Sequence, residues 1–256
     1  MHNTIIFFFV SLLLMFFFFA FMSLIFFYFL KKNTKWIITI FIGFFYFNAV
    51  LAGLFFVIKS KSEHNVIEFV YSELYRNLDE ILILEEKSGA PKERIIFIKN
   101  LFENFIIKTV PSWIICVEFF LIFLNYFVVR IYLMKKYDID DGMKPFTIWK
   151  IDERVIWFLI CCLSVFVLDR FFHNDMIFTI SLNGTFLLMN LYFVAGLSIV
   201  TFFLVKYSVP IFIQFFIYVL ILMWSGLSMI IILTGILDTW FNFRKLEKSR
   251  DGLLWK

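Results

Sequence analysis

Charge, histidine, cysteine and proline are all scarce in this chain of 256 residues. Only 17% of them are charged, against about 25% in an ordinary soluble domain. With 62% hydrophobic residues, too little polar surface is left to cover a water-facing shell, so a soluble globular domain is excluded and the solvent must be lipid. Cys116, Cys161 and Cys162 fall in apolar stretches without ligand-type spacing, which reads as reduced thiols rather than disulfides or metal ligands. His2, His64 and His173 are scattered, so neither a metal centre nor a cofactor is expected. No Lys/Arg tract interleaves with aromatic residues, which argues against a nucleic-acid partner. The 40 phenylalanines speak to codon usage more than to function.

Long apolar runs take the place of what is missing. Thr4 to Leu30 carries no charge and ends at Lys31 and Lys32. At about 1.5 Å per residue it crosses a hydrocarbon core of about 30 Å, and without a basic n-region or a small-x-small site it reads as a retained span. Trp36 to Ile58 is the second span, and Val110 to Met134, opened by Pro111, is the third. Val155 to Phe172 is shortened by Asp169 and Arg170, which can snorkel to the interface. Met176 to Leu237 holds one charge, Lys206. Three spans there would bury it at a cost of about 2.5–3.5 kcal/mol, so two long spans turning at Lys206–Pro210 are expected. Their surplus length predicts tilt, or a break near Gly184 or Gly196.

The segment 62–109 differs. Val66, Val70, Leu74, Leu78 and Ile81 keep the spacing of one helix face, Ser88–Pro91 breaks the helix, and Ile95, Ile98, Phe102 and Phe105 continue on a second arm. This predicts an amphipathic helical hairpin that either rests its apolar faces on the bundle or docks a protein partner. The expected fold is therefore an all-α polytopic transmembrane bundle of about six spans in the lipid bilayer. It divides into an N-terminal pair (1–61), the hairpin (62–109), a four-helix portion (110–245) and a polar tail (246–256). Six spans put both termini on one side. With the hairpin and tail there, that side holds 14 Lys and Arg against 10 opposite, which predicts cytoplasmic termini in a cytoplasmic (inner) membrane. The Lys31-Lys32-Lys35 cluster pulls the other way.

Polar groups inside spans need partners and should face the bundle interior. Glu118 and Asn125 stand seven residues apart on one helix, and Asn183 and Asn190 repeat that spacing; Asn48 and Gln214 add one amide each. Glu118, Asn125, Asn183, Asn190 and Gln214 are the candidates for a cavity that binds a small solute, with interhelical hydrogen bonding as the structural alternative. The last span closes on Gly235, Asp238, Trp240, Asn242, Arg244 and Lys245. That string reads as a membrane exit, with Trp240 at the interface and the cations at a helix C-terminus.

That closing string resembles the signature of the YybS-like family, bacterial multi-pass membrane proteins classed as domain of unknown function 2232. Pro111, Asn125 and Arg130 are similar to its Pro-led span, Phe146 and Trp149 to its Phe-x-x-Trp loop, and Asn190 and Gly196 to its Asn-then-Gly helix. The resemblance covers residues 75–245 and implies a multispan fold without an assigned activity. The residues themselves favour a solute-binding or transport-related protein, similar in span count to the substrate-binding components of energy-coupling-factor transporters. The small-residue spacing of those components is not matched at Ala20 and Ser23. The alternative is an accessory scaffold acting through the hairpin. An enzyme is not expected, since no dyad, metal set or phosphate-cradling loop stands out.

Overall fold

The computed structural model describes residues 2–61, 66–139, 141–172, 174–249 and 252–254. It is an all-α membrane bundle. The helices are α1 (His2–Lys31), α2 (Trp36–Lys61), α3 (Val66–Lys87), α4 (Lys92–Leu101), α5 (Ile107–Tyr137), α6 (Val155–Phe172), α7 (Asp175–Lys206), α8 (Ile211–Met223) and α9 (Ser225–Phe241). Two three-residue strands, β1 (Glu247–Ser249) and β2 (Gly252–Leu254), pair antiparallel within the polar tail. Among the described residues three helical runs are long and apolar enough to cross a membrane: Trp36–Val57, Lys92–Tyr137 and Asp175–Lys206. The apolar parts of α1 and α6 described here are shorter, and α8 and α9 pass only as a pair bent by 101°.

Contacts divide the chain into two units. The first comprises residues 1–99 and 114–143. Met22, Phe26 and Leu30 of α1 and Ile122, Tyr126 and Leu133 of α5 are fully buried in it. Gly43 admits this packing: a Cβ there would stand 2.5 Å from the Phe26 ring. Phe26 meets Tyr126 edge-on at 5.9 Å, a favoured aromatic geometry.

The α3–α4 turn lies at Ser88–Gly89, with Gly89 at φ +75°, a conformation glycine adopts without cost. Among the described side chains of the expected apolar face only Leu78 and Phe102 are buried; Val70, Ile81 and Phe105 stay exposed. The expected start of the hairpin at residue 62 lies outside the described residues. The second arm does not stop at 109. Through a π-helical segment, Phe102–Ile106, it runs on into α5, so residue 110, the expected start of the four-helix portion, lies inside a helix. Pro111, farther along inside α5, has no N–H to offer the Ile107 carbonyl four residues back.

The second unit comprises residues 100–113 and 144–256. Ile156, Leu159 and Tyr192 form its core, with Leu163, Leu188, Ile232 and Ile236 packed around them. Two glycines set the closeness of α7 and α9. A Cβ on Gly196 would fall 2.1 Å from the Ile231 carbonyl oxygen, and one on Gly235 would fall 2.2 Å from that of Tyr192. Backbones at this distance exploit van der Waals packing that bulky side chains would forbid. The turn at Tyr207–Pro210 stands where Lys206 predicts it, and α7 runs unbroken through Gly184 and Gly196. The break falls instead at Trp224, in extended conformation between α8 and α9. The Ser228 hydroxyl donates across it to the Ile221 carbonyl at 2.7 Å, replacing a lost helical partner.

Candidate functional site

The five cavity candidates find separate partners. Glu118 is buried and accepts from Asn48 Nδ2 of α2 at 2.5 Å. Asn125 donates to the Phe19 carbonyl at 3.1 Å and to Ser23 Oγ of α1 at 2.9 Å. Asn190 donates to Phe186 O of its own helix, and Gln214 to Val209 O. Among the described residues no hydrogen bond joins any two of the five.

Asn183 mends the helix next to Pro111. Its Oδ1 accepts from the Ser112 N–H at 3.0 Å and from the Ser112 hydroxyl, while its Nδ2 donates to Lys108 O at 2.7 Å. Lys108 C=O and Ser112 N–H are the two ends of one i, i+4 rung, so a single amide side chain satisfies both. Buried backbone groups require such partners.

Two Asp–Arg pairs organise the polar interior, one in each unit; Arg130 of the first is half-buried, and both members of the second are buried. In the first unit Arg130 Nε lies 2.6 Å from Asp141 Oδ2, Tyr126 donates to the same oxygen, and the Met143 N–H donates to Oδ1 at 3.0 Å. The Trp36 N–H reaches the Asp141 carbonyl at 3.2 Å, which ties the start of α2 to the loop after α5. Burial raises the Asp141 pKa, but the hydrogen bonds from Arg130, Tyr126 and Met143, with the Arg130 charge, hold it below the ordinary carboxylate value.

In the second unit Arg244 uses all four Nη hydrogens. Nη1 donates to Thr147 O at 2.8 Å and to Ser198 Oγ at 2.7 Å; Nη2 donates to Trp149 O and to Asp238 Oδ2, each at 2.8 Å. Ser198 in turn donates to Phe146 O at 2.6 Å. Asn242 makes this possible. Its left-handed conformation reverses the chain after α9, and its side chain clasps Leu246 through both backbone groups. Arg244 is thus not a headgroup cation at the helix end, as its position in the sequence predicts, but the centre of a latch. Chain reversal returns it to the Phe146–Trp149 loop. Trp240 remains exposed on α9, as an interfacial anchor would.

Asp141 and Ser198 carry weight that sequence reasoning missed. An arginine near the end of a span, too far from Glu118 to pair with it, was the available signal for Asp141. Nothing local marks Ser198.

One hollow among the described residues is apolar. A groove of about 430 Å³ runs along the last turns of α7, lined by Ile199, Phe203, Tyr207 and Val209 on one side and Ile231, Thr234 and Phe243 on the other. None of the five polar candidates lines it. The predicted membrane protein family DUF2232 matches residues 2–239.

The chain belongs to the DUF2232 family. The match reaches nearly to the start of the chain, well before residue 75, so the N-terminal pair is part of the DUF2232 region. It also includes Gly235 and Asp238, while Arg244 lies five residues past its end. No curated protein and no solved structure matches the chain. Three of the four elements that carry the YybS-like resemblance in this DUF2232 chain, the Phe146–Trp149 loop, the Gly196 stretch and the Asp238–Arg244 string, meet in one hydrogen-bonded cluster and one helix crossing.

Proposed function

We propose that this multi-pass membrane protein binds a small amphiphile with an apolar body, held in the groove between α7 and α9, and that its role is non-catalytic. The groove carries the reading. Its volume lies within the range of small-molecule sites, and its lining combines branched and aromatic side chains with two hydroxyls, Thr234 and Tyr207. The glycine crossing and the Arg244 latch hold its walls in place without filling it. Each of the two Asp–Arg pairs is engaged on both carboxylate oxygens, which suits bracing rather than proton transfer. The solute-binding reading therefore moves from the Glu118 face to an apolar groove. Thr234→Trp, which fills the groove from α9, tests it by abolishing amphiphile binding while the protein stays folded.

The scaffold reading keeps one observation in its favour. Phe69, Leu84, Ile96 and Phe97 are exposed on the α3–α4 hairpin beside its charges. A partner docking there would be indifferent to Thr234→Trp.

A further inference from the structure

We infer that α8 and α9 form a re-entrant pair that enters and leaves the membrane on one face, rather than a sixth crossing. At about 1.5 Å per residue α8 is about 20 Å long, short of a core of about 30 Å, and the chain then bends by 101° at Trp224. Two contacts fix where the pair ends. The groove is lined both by Tyr207 and Val209, which precede α8, and by Phe243, which follows α9. Arg244 bonds the carbonyls of Thr147 and Trp149, in the loop before α6, and Ser198, eight residues before the end of α7. Entry and exit therefore adjoin. A crossing would place the α7–α8 turn and residues 242–246 on opposite faces.

This arrangement changes the charge balance. The Trp36 N–H to Asp141 contact groups the Lys31–Lys35 turn with the loop after α5. That face then gathers the three lysines at 31–35, the six Lys and Arg from Arg130 to Arg154, Lys206, and the five from Arg244 onward, fifteen in all. The opposite face keeps nine: the eight of the α3–α4 hairpin and its flanks, and Arg170. By the positive-inside rule the face with the tail is cytoplasmic and the hairpin is extracytoplasmic. The Lys31-Lys32-Lys35 cluster no longer conflicts with the count. The mouth of the groove at Tyr207 and Phe243 then opens toward the cytoplasm; the topology itself does not depend on what the groove binds.

Single substitutions Ala90→Cys, Lys150→Cys, Lys206→Cys and Ser249→Cys, probed in intact spheroplasts and in inverted vesicles with a membrane-impermeant maleimide, test the inference. The wild-type protein supplies the baseline from its own three cysteines. Residues 150, 206 and 249 should react only in inverted vesicles, and residue 90 only in spheroplasts. Epitope tags inserted at Gly89 and after Lys256 of the otherwise native chain read the same topology by protease protection. Residue 249 reacting from the side opposite to 150 and 206 would overturn the re-entrant pair. Residue 90 reacting in inverted vesicles would overturn the orientation.

Discussion

Asp238 Oδ2 accepts from Arg244 Nη2 at 2.8 Å, and both side chains are almost fully excluded from solvent. The pair closes the C-terminal end of α9 onto itself, with Asp238 Oδ1 taking the Phe243 N–H at 2.8 Å.

Removing one partner of such a pair leaves an unpaired buried charge, at about 3–5 kcal/mol. Arg244→Gln and Asp238→Asn should each lower the melting temperature of the detergent-solubilised protein by many degrees. Arg244→Lys should not restore it, because an ammonium cannot reach four acceptors arranged around a planar guanidinium. A wild-type melting curve for Arg244→Lys would refute the latch.

Asn183 and Glu118 should separate in the same assay. Asn183→Leu strips two backbone groups of their partners, and each unsatisfied group costs about 1–3 kcal/mol. Glu118→Gln keeps an oxygen for Asn48 Nδ2 and should change stability by less than about 1 kcal/mol, near the average for polar contacts between membrane helices. Equal losses would mean that Glu118 does more than meet Asn48.

Asp141 sets a dependence on acid. A folded-state pKa held below the ordinary value contributes stability that is present above the unfolded pKa, about 3.9, and is lost as pH falls through the folded value. Thermal melts should therefore drop as pH is lowered below about 4. Asp141→Asn should lower the melt at neutral pH and flatten the acid limb. An unchanged limb in that variant would remove Asp141 as its source.

The elements that follow from local chemistry were legible in the sequence. Apolar runs mark the helices, Lys206 marks the turn that keeps its charge out of the core, and Ser88–Pro91 marks the hairpin corner. What escaped depends on distant groups. The break at Trp224 has no proline to announce it and is stabilised by Ser228 reaching back across it. Pro111 reads as a helix opener because nothing near it shows that Asn183, 72 residues on, will bridge the gap. Arg244 looks like a terminal cation until Asn242 turns the chain back on itself. Of the five polar candidates Glu118 is buried, and Asn125, Asn183, Asn190 and Gln214 are half-buried. Their gathering into one cavity was not readable, since spacing along a helix gives a face but not the neighbour that meets it.

The measurement that tests the central claim most directly is photo-crosslinking with a fatty acid carrying a diazirine in its chain, followed by peptide mapping. In the wild-type protein the adducts should concentrate on residues 199–209 and 231–243, the two walls of the groove. In Thr234→Trp they should fall at least about tenfold, a loss of about 1.4 kcal/mol in occupancy, with an unchanged melting temperature. Adducts spread evenly over the lipid-facing helices, or equal on both proteins, would contradict a ligand site between α7 and α9.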